Sequence, residues 1–363
     1  MTNNWTHYNP VKITAGLGSI SKLPDLLPTQ GNILLITTPG ATRRGLSAKV
    51  SNLLGADRIH IHDQVTPNPE LDALDKWTSE YSSAGFAAII ALGGGSVLDA
   101  AKVLGVTLPS GVNSPLEQLF RQKKDITWSS RIPVTAIPTT SGTGAEVTPF
   151  ATVWDGLNKK KHSLSGDNVY PAHALLDPEL TLTLPRHETL YTGLDAISHA
   201  LESLWNKNRT PVSEGFALHA LTLANQALPI ILKQPDDLES RASMQQASLL
   251  AGLAISQTKT AIAHAISYPL TIHYNIPHGL ACSFALTGLI DLYFPILDNS
   301  QEKQVLLDIS DILNYLQLDR EMAVYLDGNN MHDHMDEMFH PERAGNCSLE
   351  LSRQDVAGLL VQA

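Results

Sequence analysis

Residues 87–102, AAIIALGGGSVLDAAK, join an apolar run to a helical pattern through three consecutive glycines. The apolar run, Ala87–Leu92, has the length and composition of a buried strand. Glycines let backbone N–H groups approach an anion closely, and the start of the following helix favours negative charge. The segment therefore predicts either a phosphate cradle or a plain strand-to-helix turn. It lacks the G-x-G-x-x-G pattern, which excludes a standard Rossmann fingerprint.

A second polar loop, residues 138–146 (PTTSGTGAE), also follows a predicted strand. Its hydroxyl groups and two glycines offer small hydrogen-bond donors on a flexible backbone. Both loops fall at the carboxyl ends of strands, where open parallel sheets bind their ligands. Two such loops on one sheet indicate an extended, phosphate-bearing cofactor.

Short apolar runs alternate with helical patterns through the first half of the chain. Besides Ala87–Leu92, the predicted strands are Asn32–Thr37, Arg58–His62 and Ile132–Ile137. A helical pattern in Pro69–Gly85 separates two of them. This order predicts a parallel sheet with helices on both faces.

The pattern changes near residue 180, and almost everything that follows has helical spacing. The predicted helices are Thr189–Asn206, Val212–Leu232, Asp237–Thr258 and Gln301–Leu318. A chain of 363 residues is too long for one ordinary core. We therefore expect an α/β domain over residues 1–180 and an all-helical domain over residues 181–363.

Four residues of the second half can close on one metal ion. Asp195 and His199 lie four positions apart in a predicted helix, which puts a carboxylate and an imidazole on one face. His264 and His278 follow at a distance in the chain. One carboxylate and three imidazoles suit a divalent transition metal and can leave a coordination position open. An open position would allow chemistry at the metal.

Each of these residues has an ordinary explanation when it is taken alone. A lone His264 would be a hydrogen-bonded helix histidine, and a lone Asp195 would be a cap or a surface charge. His219 and His273 are predicted not to be ligands. The tail, residues 331–340, carries three histidines among acidic residues. For this tail we favour a solvated loop or helix face over a second metal site.

The composition limits the class of protein. The net charge of −11 argues against nonspecific binding to nucleic acid, which needs a basic surface. The chain has two cysteines, Cys282 and Cys347, which argues against a disulfide framework and favours a cytoplasmic protein. Cys282 stands in an apolar run and is predicted to be a small core residue. No apolar run is expected to reach the length of a bilayer span, so we expect no membrane partner.

Four motifs in this order resemble the iron-containing, group III alcohol dehydrogenases, whose fold is shared with dehydroquinate synthase and glycerol dehydrogenase. The matching segments cover roughly residues 90–280: Gly93–Lys102, Ile137–Glu146, Gly193–Glu202 and His264–Gly279. The resemblance implies an α/β nucleotide-binding domain, an all-α metal-binding domain and a cofactor in the cleft between them. A homodimer formed through the sheet domain is a candidate assembly.

The resemblance assigns roles to individual residues. Asp195, His199, His264 and His278 would be the metal ligands. Gly94, Gly95 and Ser96 would face the pyrophosphate, Thr139, Thr140 and Thr143 would line the cofactor cleft, and Asp99 lies on the helix after the glycine turn. Lys161 would lie close to the nicotinamide, and Phe150 would border the substrate pocket.

The chain departs from the family pattern at two places. Tyr268 stands where members commonly carry a second histidine beside the nicotinamide, and a phenol with a pKa near 10 is a poor substitute at neutral pH. After the strand that ends at Thr37, NAD-preferring members often have an aspartate for the ribose, whereas here Thr38 begins TPGATRR. Arg43 or Arg44 can contact a 2′-phosphate there. We keep both NAD and NADP open, with a slight preference for NADP.

The resemblance implies reversible hydride transfer between NAD(P) and a small primary alcohol or aldehyde, with a metal as Lewis acid. Fe(II) follows family habit, and Zn(II) suits the same ligands. Tyr268 and His273 are candidate members of a proton path. The segments around His264 and His278 also resemble a subgroup of phosphonate metabolism that reduces phosphonoacetaldehyde-type substrates. The alternatives are a dehydroquinate synthase-like lyase and a non-catalytic nucleotide-binding protein.

Overall fold

The computed structural model describes residues 4–326, 331–339 and 344–361. Within these ranges the chain forms two compact units. The α/β unit comprises Pro10–Thr140 and Ala145–Thr181, and the helical unit comprises the segment that ends at Asn9, Ser141–Gly144 and the chain from Leu182 onward. The predicted division into residues 1–180 and 181–363 cuts the chain at one point. It therefore does not place the short segment Ser141–Gly144 in the helical unit.

The α/β unit is built on a six-stranded sheet in which all the pairings are parallel. The spatial order of its strands is β1-β8-β5-β4-β2-β3, and β6 and β7 form a separate antiparallel hairpin. The strands are β1 Lys12–Ala15, β2 Ile33–Ile36, β3 Ile59–His62, β4 Ala88–Gly93, β5 Val134–Pro138, β6 Phe150–Asp155, β7 Lys160–Ser165 and β8 His173–Leu176. Its α-helices are α1 Pro39–Arg43, α2 Leu46–Leu54, α3 Leu71–Tyr81 and α4 Gly95–Thr107.

Side chains of the sheet alternate between two buried faces. In β2, Leu34 and Ile36 pack with residues of α3 and α4 on one face, whereas Ile33 and Leu35 pack with residues of α2 on the other. Strands buried on both faces need continuous apolar sequence, which is why β2 and β4 are recognisable as short apolar runs. The predicted parallel sheet with helices on both faces is confirmed.

An ion pair with a buried carboxylate ties the hairpin to its neighbours. The Asp155 carboxylate, 1% exposed, accepts hydrogen bonds from Arg121 at 2.9 and 3.3 Å. Arg121 also pairs with Asp72 on α3, and Asn158 donates to Asp155 from the hairpin turn. Hydrogen bonds from Arg121, with help from Asn158, hold the pKa of Asp155 well below its ordinary value.

We expect Asp155→Asn to lower the free energy of unfolding by about 3 kcal/mol at neutral pH, because Arg121 would lose its buried partner. A depressed folded-state pKa contributes stability above the unfolded pKa, and that stability is lost as the pH falls through the folded value. The difference between wild type and variant should therefore shrink below about pH 4. Urea unfolding at several pH values measures it. Exposed Asp57→Asn is the control, and equal effects of both variants at neutral pH would contradict the expectation.

The helical unit has its own core, formed by α5 to α13. The helices are α5 Arg186–Leu204, α6 Pro211–Lys233, α7 Leu238–Thr258, α8 Ile262–Tyr274, α9 His278–Ser283, α10 Leu286–Tyr293, α11 Ser300–Leu316, α12 Leu318–Leu326 and α13 Arg353–Val361. The four helices predicted by spacing are α5, α6, α7 and α11. Asp237, predicted inside α7, is its N-cap and accepts from the Ser240 N–H. The predicted all-helical second half is confirmed.

Two helical segments among the described residues are long and apolar enough to meet the length and composition criterion for a membrane span. They are Pro211–Lys233 and His278–Ile296, with mean hydropathies of 1.4 and 1.5. The expectation that no apolar stretch reaches this length is therefore wrong. The second segment is 61% buried inside the protein, and buried core helices meet the same criterion. The finding is accordingly weak evidence for a membrane partner.

Candidate metal centre

Helix α5 presents three ionisable side chains on one face. Asp195, His199 and Glu202 follow each other at steps of four and three residues, which is the spacing of one helical face. All three are buried. The distance from His199 Nε2 to Asp195 Oδ1 is 3.6 Å, too long for a hydrogen bond but suitable for two ligands of one ion.

Helices α8 and α9 bring the other two predicted ligands to the same carboxylate oxygen. His264 Nε2 lies 3.6 Å and His278 Nε2 lies 3.9 Å from Asp195 Oδ1. Asn275, the residue after α8, adopts the left-handed conformation with φ of 54°. This conformation lets the chain turn before α9 begins at His278. The structure therefore places the Nε2 atoms of all three predicted histidine ligands within 4 Å of Asp195 Oδ1, although His199 is not among the donors that all lie within 4.8 Å of one another.

The chemistry of the donor atoms fits a bound cation. Asp195 Oδ1 and His264 Nε2 are buried and have no hydrogen-bond partner among the residues described. Burial by itself would raise the pKa of Asp195, but the adjacent imidazoles outweigh it and the pKa lies well below the ordinary value. A buried carboxylate oxygen and an imidazole nitrogen that both lack hydrogen-bond partners are costly, and a divalent metal at this point would satisfy both.

Glu202 contacts one of the predicted ligands, and the sequence alone assigned it no role. Its Oε1 accepts from the His264 backbone N–H at 3.1 Å, and its Oε2 lies 2.6 Å from His264 Nδ1. A proton on Nδ1 leaves the Nε2 lone pair directed towards Asp195. A carboxylate behind a ligand histidine fixes its tautomer and orientation. The signal that could have identified Glu202 is its position seven residues after Asp195 on the same face.

We expect Glu202→Gln to weaken metal binding by about 10- to 100-fold while the fold is retained. Glutamine keeps the shape but has only one acceptor oxygen, so one of the two bonds from His264 is lost. Competition titration with a chelator measures the Kd. Glu239→Gln, at an exposed position of α7, is the matched control and should leave the Kd unchanged. Equal Kd values for all three proteins would show that Glu202 does not orient His264.

Cys282 lies beside the histidines. Four ligand atoms, those of Asp195, His264, His278 and Cys282, all lie within 4.8 Å of one another. The Cys282 Sγ is 3.6 Å from Nδ1 and 3.7 Å from Nε2 of His278. The residue is buried, as the sequence predicted, but its sulfur faces the candidate ligands as well as apolar neighbours.

A second histidine cluster lies at the end of α8. Glu337 contacts His273 Nε2 at 3.1 Å and His334 Nδ1 at 2.9 Å. The two imidazoles are stacked, with ring centroids 3.6 Å apart and an angle of 7° between the planes. One donor atom from each imidazole and a Glu337 oxygen lie within 4.8 Å of one another, so this group also meets the distance criterion for a metal site, but it is partly exposed whereas the first group is mostly buried. His219 is exposed on α6, and His340 of the tail lies outside the described residues.

The two cofactor loops of the α/β unit lie against each other at the carboxyl ends of β4 and β5. The Thr139 N–H donates to the Gly93 carbonyl at 3.0 Å. A Cβ atom on Gly94 would approach the Thr140 side chain to 3.2 Å, so glycine permits this contact. Gly95 begins helix α4, and Ser96 accepts from the Asn68 N–H. The two loops thus meet at the carboxyl-terminal end of a parallel sheet, where such sheets bind their ligands, and the phosphate cradle stays a prediction.

The other residues predicted to bind cofactor or substrate have definite positions. Asp99 on α4 accepts from the Thr152 N–H at 2.8 Å. Burial raises its pKa, and the nearby charges of Lys102 and Lys161 oppose that rise. Asp99 therefore holds β6 to α4, whatever else it contacts. Phe150 opens β6, while Lys161 on β7 pairs in register with Trp154.

The remaining predicted residues lie elsewhere. Thr38, at the carboxyl end of β2, caps α1 by accepting from the Ala41 N–H. Thr143 belongs to the short segment that clusters with the helical unit, whereas Thr139 and Thr140 belong to the α/β unit. Tyr268 lies one turn beyond His264 on α8 and is partly exposed.

Sequence models of one family match both halves of the chain. The model described as iron-containing alcohol dehydrogenase matches residues 10–178. The model of the C-terminal part of the Fe-containing alcohol dehydrogenase family matches residues 189–336. The chain belongs to the iron-containing alcohol dehydrogenase family.

Relatives within the iron-containing alcohol dehydrogenases include reductases of acidic aldehydes. Sulfoacetaldehyde reductase of Bilophila wadsworthia is 30% identical over 309 residues, which cover 84% of this chain and 78% of the relative. Phosphonoacetaldehyde reductase of Streptomyces viridochromogenes is 40% identical over 207 residues, 55% of this chain and 52% of the relative. The crystal structure of sulfoacetaldehyde reductase from Bifidobacterium kashiwanohense in complex with NAD⁺ superimposes with a TM-score of 0.88 at 25% identity, covering 99% of this chain and 98% of that one.

Membership of the iron-containing alcohol dehydrogenases confirms the predicted family, fold and enzyme class. The protein is a metal-dependent, NAD(P)-linked oxidoreductase that transfers hydride between the nicotinamide and a small alcohol or aldehyde. The dehydroquinate synthase-like lyase and the non-catalytic binding protein are the less well supported alternatives.

Proposed function

We propose that this protein reduces a short aldehyde that carries an anionic group, with a phosphonoaldehyde as the first candidate. The observation that carries the proposal is the 40% identity to phosphonoacetaldehyde reductase of Streptomyces viridochromogenes. A sulfonated aldehyde is the second candidate, because sulfoacetaldehyde reductases are similar over most of the chain. Phosphonate and sulfonate share a compact, charged end and differ mainly in charge.

The proposed metal ligands are Asp195, His199, His264 and His278, with Glu202 orienting His264. A divalent metal held there, Fe(II) or Zn(II), supplies Lewis acidity to the substrate oxygen, and the nicotinamide supplies the hydride. Three of the four ligands are buried, which keeps bulk water from the donor atoms. The fourth, His278, has 32% of its side chain exposed and marks the side from which a substrate can enter.

The proposed cofactor residues are those of the two loops and their surroundings: Thr38, Gly94, Gly95, Ser96, Asp99, Thr139, Thr140, Thr143 and Lys161. Backbone N–H groups at the start of α4 would bind the pyrophosphate, and threonine hydroxyls would donate to the rest of the cofactor. Phe150 would border the substrate. Tyr268 would donate a hydrogen bond and take part in the proton path, since a phenol remains protonated at neutral pH.

We also propose that the protein acts in the cytoplasm as a homodimer, without a nucleic-acid or membrane partner. The two free cysteines support the cytoplasm, and the net charge of −11 argues against a nucleic-acid partner. Both thiols stay reduced in the cytoplasm.

The test is metal analysis of freshly purified protein, followed by steady-state kinetics with NADH and NADPH. The substrates are phosphonoacetaldehyde, sulfoacetaldehyde and propanal. We expect kcat/KM for phosphonoacetaldehyde to exceed that for propanal by about tenfold or more. A site that binds the anionic group loses this interaction when the substrate is propanal. Equal values for all three aldehydes would overturn the anionic substrate. Absence of turnover by metal-loaded protein with every aldehyde would favour the non-catalytic alternative.

A further inference from the structure

The four residues Ser141–Gly144 of the second cofactor loop cluster with the helical unit and pack against two of its helices. A Cβ atom on Gly142 would lie 2.6 Å from the Thr192 carbonyl oxygen of α5. A Cβ atom on Gly144 would lie 2.4 Å from the Gly252 Cα atom of α7. Glycine is required at both positions, because the backbone of this segment packs directly on α5 and α7.

His199, also on α5, has one ring nitrogen that the proposed metal site does not use. Its Nε2 faces the Asp195 carboxylate at 3.6 Å, whereas its Nδ1 is buried and makes no hydrogen bond of ordinary geometry. A histidine that binds a metal almost always donates its other ring N–H to a carboxylate, a backbone carbonyl or water. His264 has Glu202 in that role. The corresponding partner of His199 remains to be identified.

The backbone of Gly142 is the group that reaches this imidazole. Burial lowers the pKa of His199, and the Gly142 backbone is close enough to oppose that fall. A group that raises the pKa of an imidazole favours its protonated form, so the contacting atom is an acceptor, the carbonyl oxygen. Because Asp195 lies on the Nε2 side, the carbonyl lies on the Nδ1 side. The contact falls outside ordinary hydrogen-bond geometry, so a shift of the loop towards α5 would complete it.

We propose that Gly142 is a positioning residue whose carbonyl accepts from His199 Nδ1–H when cofactor binds the loop, so that cofactor and metal bind cooperatively. The inference rests on the proposed function, which assigns Thr139, Thr140 and Thr143 of the same loop to the cofactor. Hydrogen bonds that are long in a free enzyme commonly shorten in its complexes. A loop held by the cofactor would fix the His199 tautomer, with the Nε2 lone pair directed at the metal.

The first experiment measures the Kd of Zn(II) for the full-length protein by competition with a chelator, without cofactor and with saturating NAD⁺ or NADP⁺. We expect the cofactor to lower this Kd about fivefold or more, and Zn(II) to lower the Kd of the cofactor by the same factor, because coupling between two sites is reciprocal. In Gly142→Ala the factor should fall to about 1. Gly215→Ala is the control, since a Cβ atom there meets nothing within 4 Å, and it should keep the wild-type factor. Circular dichroism checks the folding of both variants.

A second measurement on the wild type does not depend on the folding of Gly142→Ala. Nuclear magnetic resonance of the zinc-loaded protein with ¹⁵N-labelled histidine follows the His199 Nδ1–H, which is assigned by its loss in His199→Gln. The proton resonance should move downfield when the cofactor is added, because the N–H then donates to a carbonyl.

The possible results separate this inference from the proposed function. If wild type binds Zn(II) and reduces aldehydes, but the cofactor changes neither the Kd nor the His199 resonance, the inference is wrong and the proposed function stands. The same conclusion follows if a folded Gly142→Ala protein keeps the wild-type coupling factor. If wild type binds neither Zn(II) nor Fe(II), the metal site itself is wrong and both proposals fail.

Discussion

Asp195→Ala is expected to remove the metal and to lower kcat/KM by a factor of about 10³ or more. The Oδ1 atom of Asp195 lies between 3.6 and 3.9 Å from the Nε2 atoms of three histidines, so it is close to every proposed histidine ligand. Without it the site has no negative charge from the predicted quartet to balance a divalent cation. Lewis-acid assistance is worth several kcal/mol, and about 4 kcal/mol corresponds to three powers of ten in rate.

The experiment measures metal per protein chain by mass spectrometry and kcat/KM with the best aldehyde. Asp291→Ala is the matched control, since Asp291 is an exposed carboxylate on α10 of the same helical unit. The control should keep both the metal and the rate. If Asp195→Ala also kept both, the metal-centred assignment of the site would be lost.

Gly279→Ala is expected to prevent correct packing of the helical unit. A Cβ atom at Gly279 would lie 1.8 Å from the Tyr191 carbonyl oxygen, a backbone atom of α5 that cannot rotate away. Helix α9 would have to move off α5, and His278, the residue before Gly279, would move with it. We expect a loss of at least about 4 kcal/mol in the free energy of unfolding, together with loss of metal.

Gly215→Ala provides the opposite result in the same unit. Gly215 is exposed on α6, and a Cβ atom there meets nothing within 4 Å. Alanine is the better helix former, so this variant should gain about 0.5–1 kcal/mol. Chemical unfolding followed by circular dichroism compares the two. A Gly279→Ala protein as stable as wild type would mean that α5 and α9 do not approach as closely as described.

The residues that the sequence identified are those with a periodic or a clustered signal. Strands β2 and β4 appear as short apolar runs because both faces of the sheet are covered, and α5, α6, α7 and α11 carry apolar residues at helical steps. The hairpin β6–β7 was missed because Lys160–Ser165 is polar and mostly exposed. Helix α8 was missed as an element because Pro269 interrupts its pattern.

The proposed ligand quartet could be predicted from sequence because its residue types are rare together and stand in recognisable motifs. Glu202 and Cys282 were not assigned roles, because the sequence alone gives each an ordinary interpretation. Glu202 reads as a glutamate on a helix, and Cys282 reads as a cysteine within an apolar run. Only the packing of α8 on α5 shows that Glu202 faces His264, and only the turn at Asn275 shows that Cys282 faces the same centre. Contacts between residues distant in the chain decide these roles, and the periodic pattern of the sequence does not indicate such contacts.

Because the proposed ligands come from three separate helices, α5, α8 and α9, we expect metal loading to affect thermal denaturation. An unfolded chain does not hold these donors together, so the ion binds the native state and stabilises it by mass action. At a free metal concentration 100 times the Kd, this linkage contributes about 2.7 kcal/mol. The melting temperature of the protein should consequently rise with free metal and fall with a chelator. Thermal denaturation thus provides a measure of metal occupancy that is independent of any substrate.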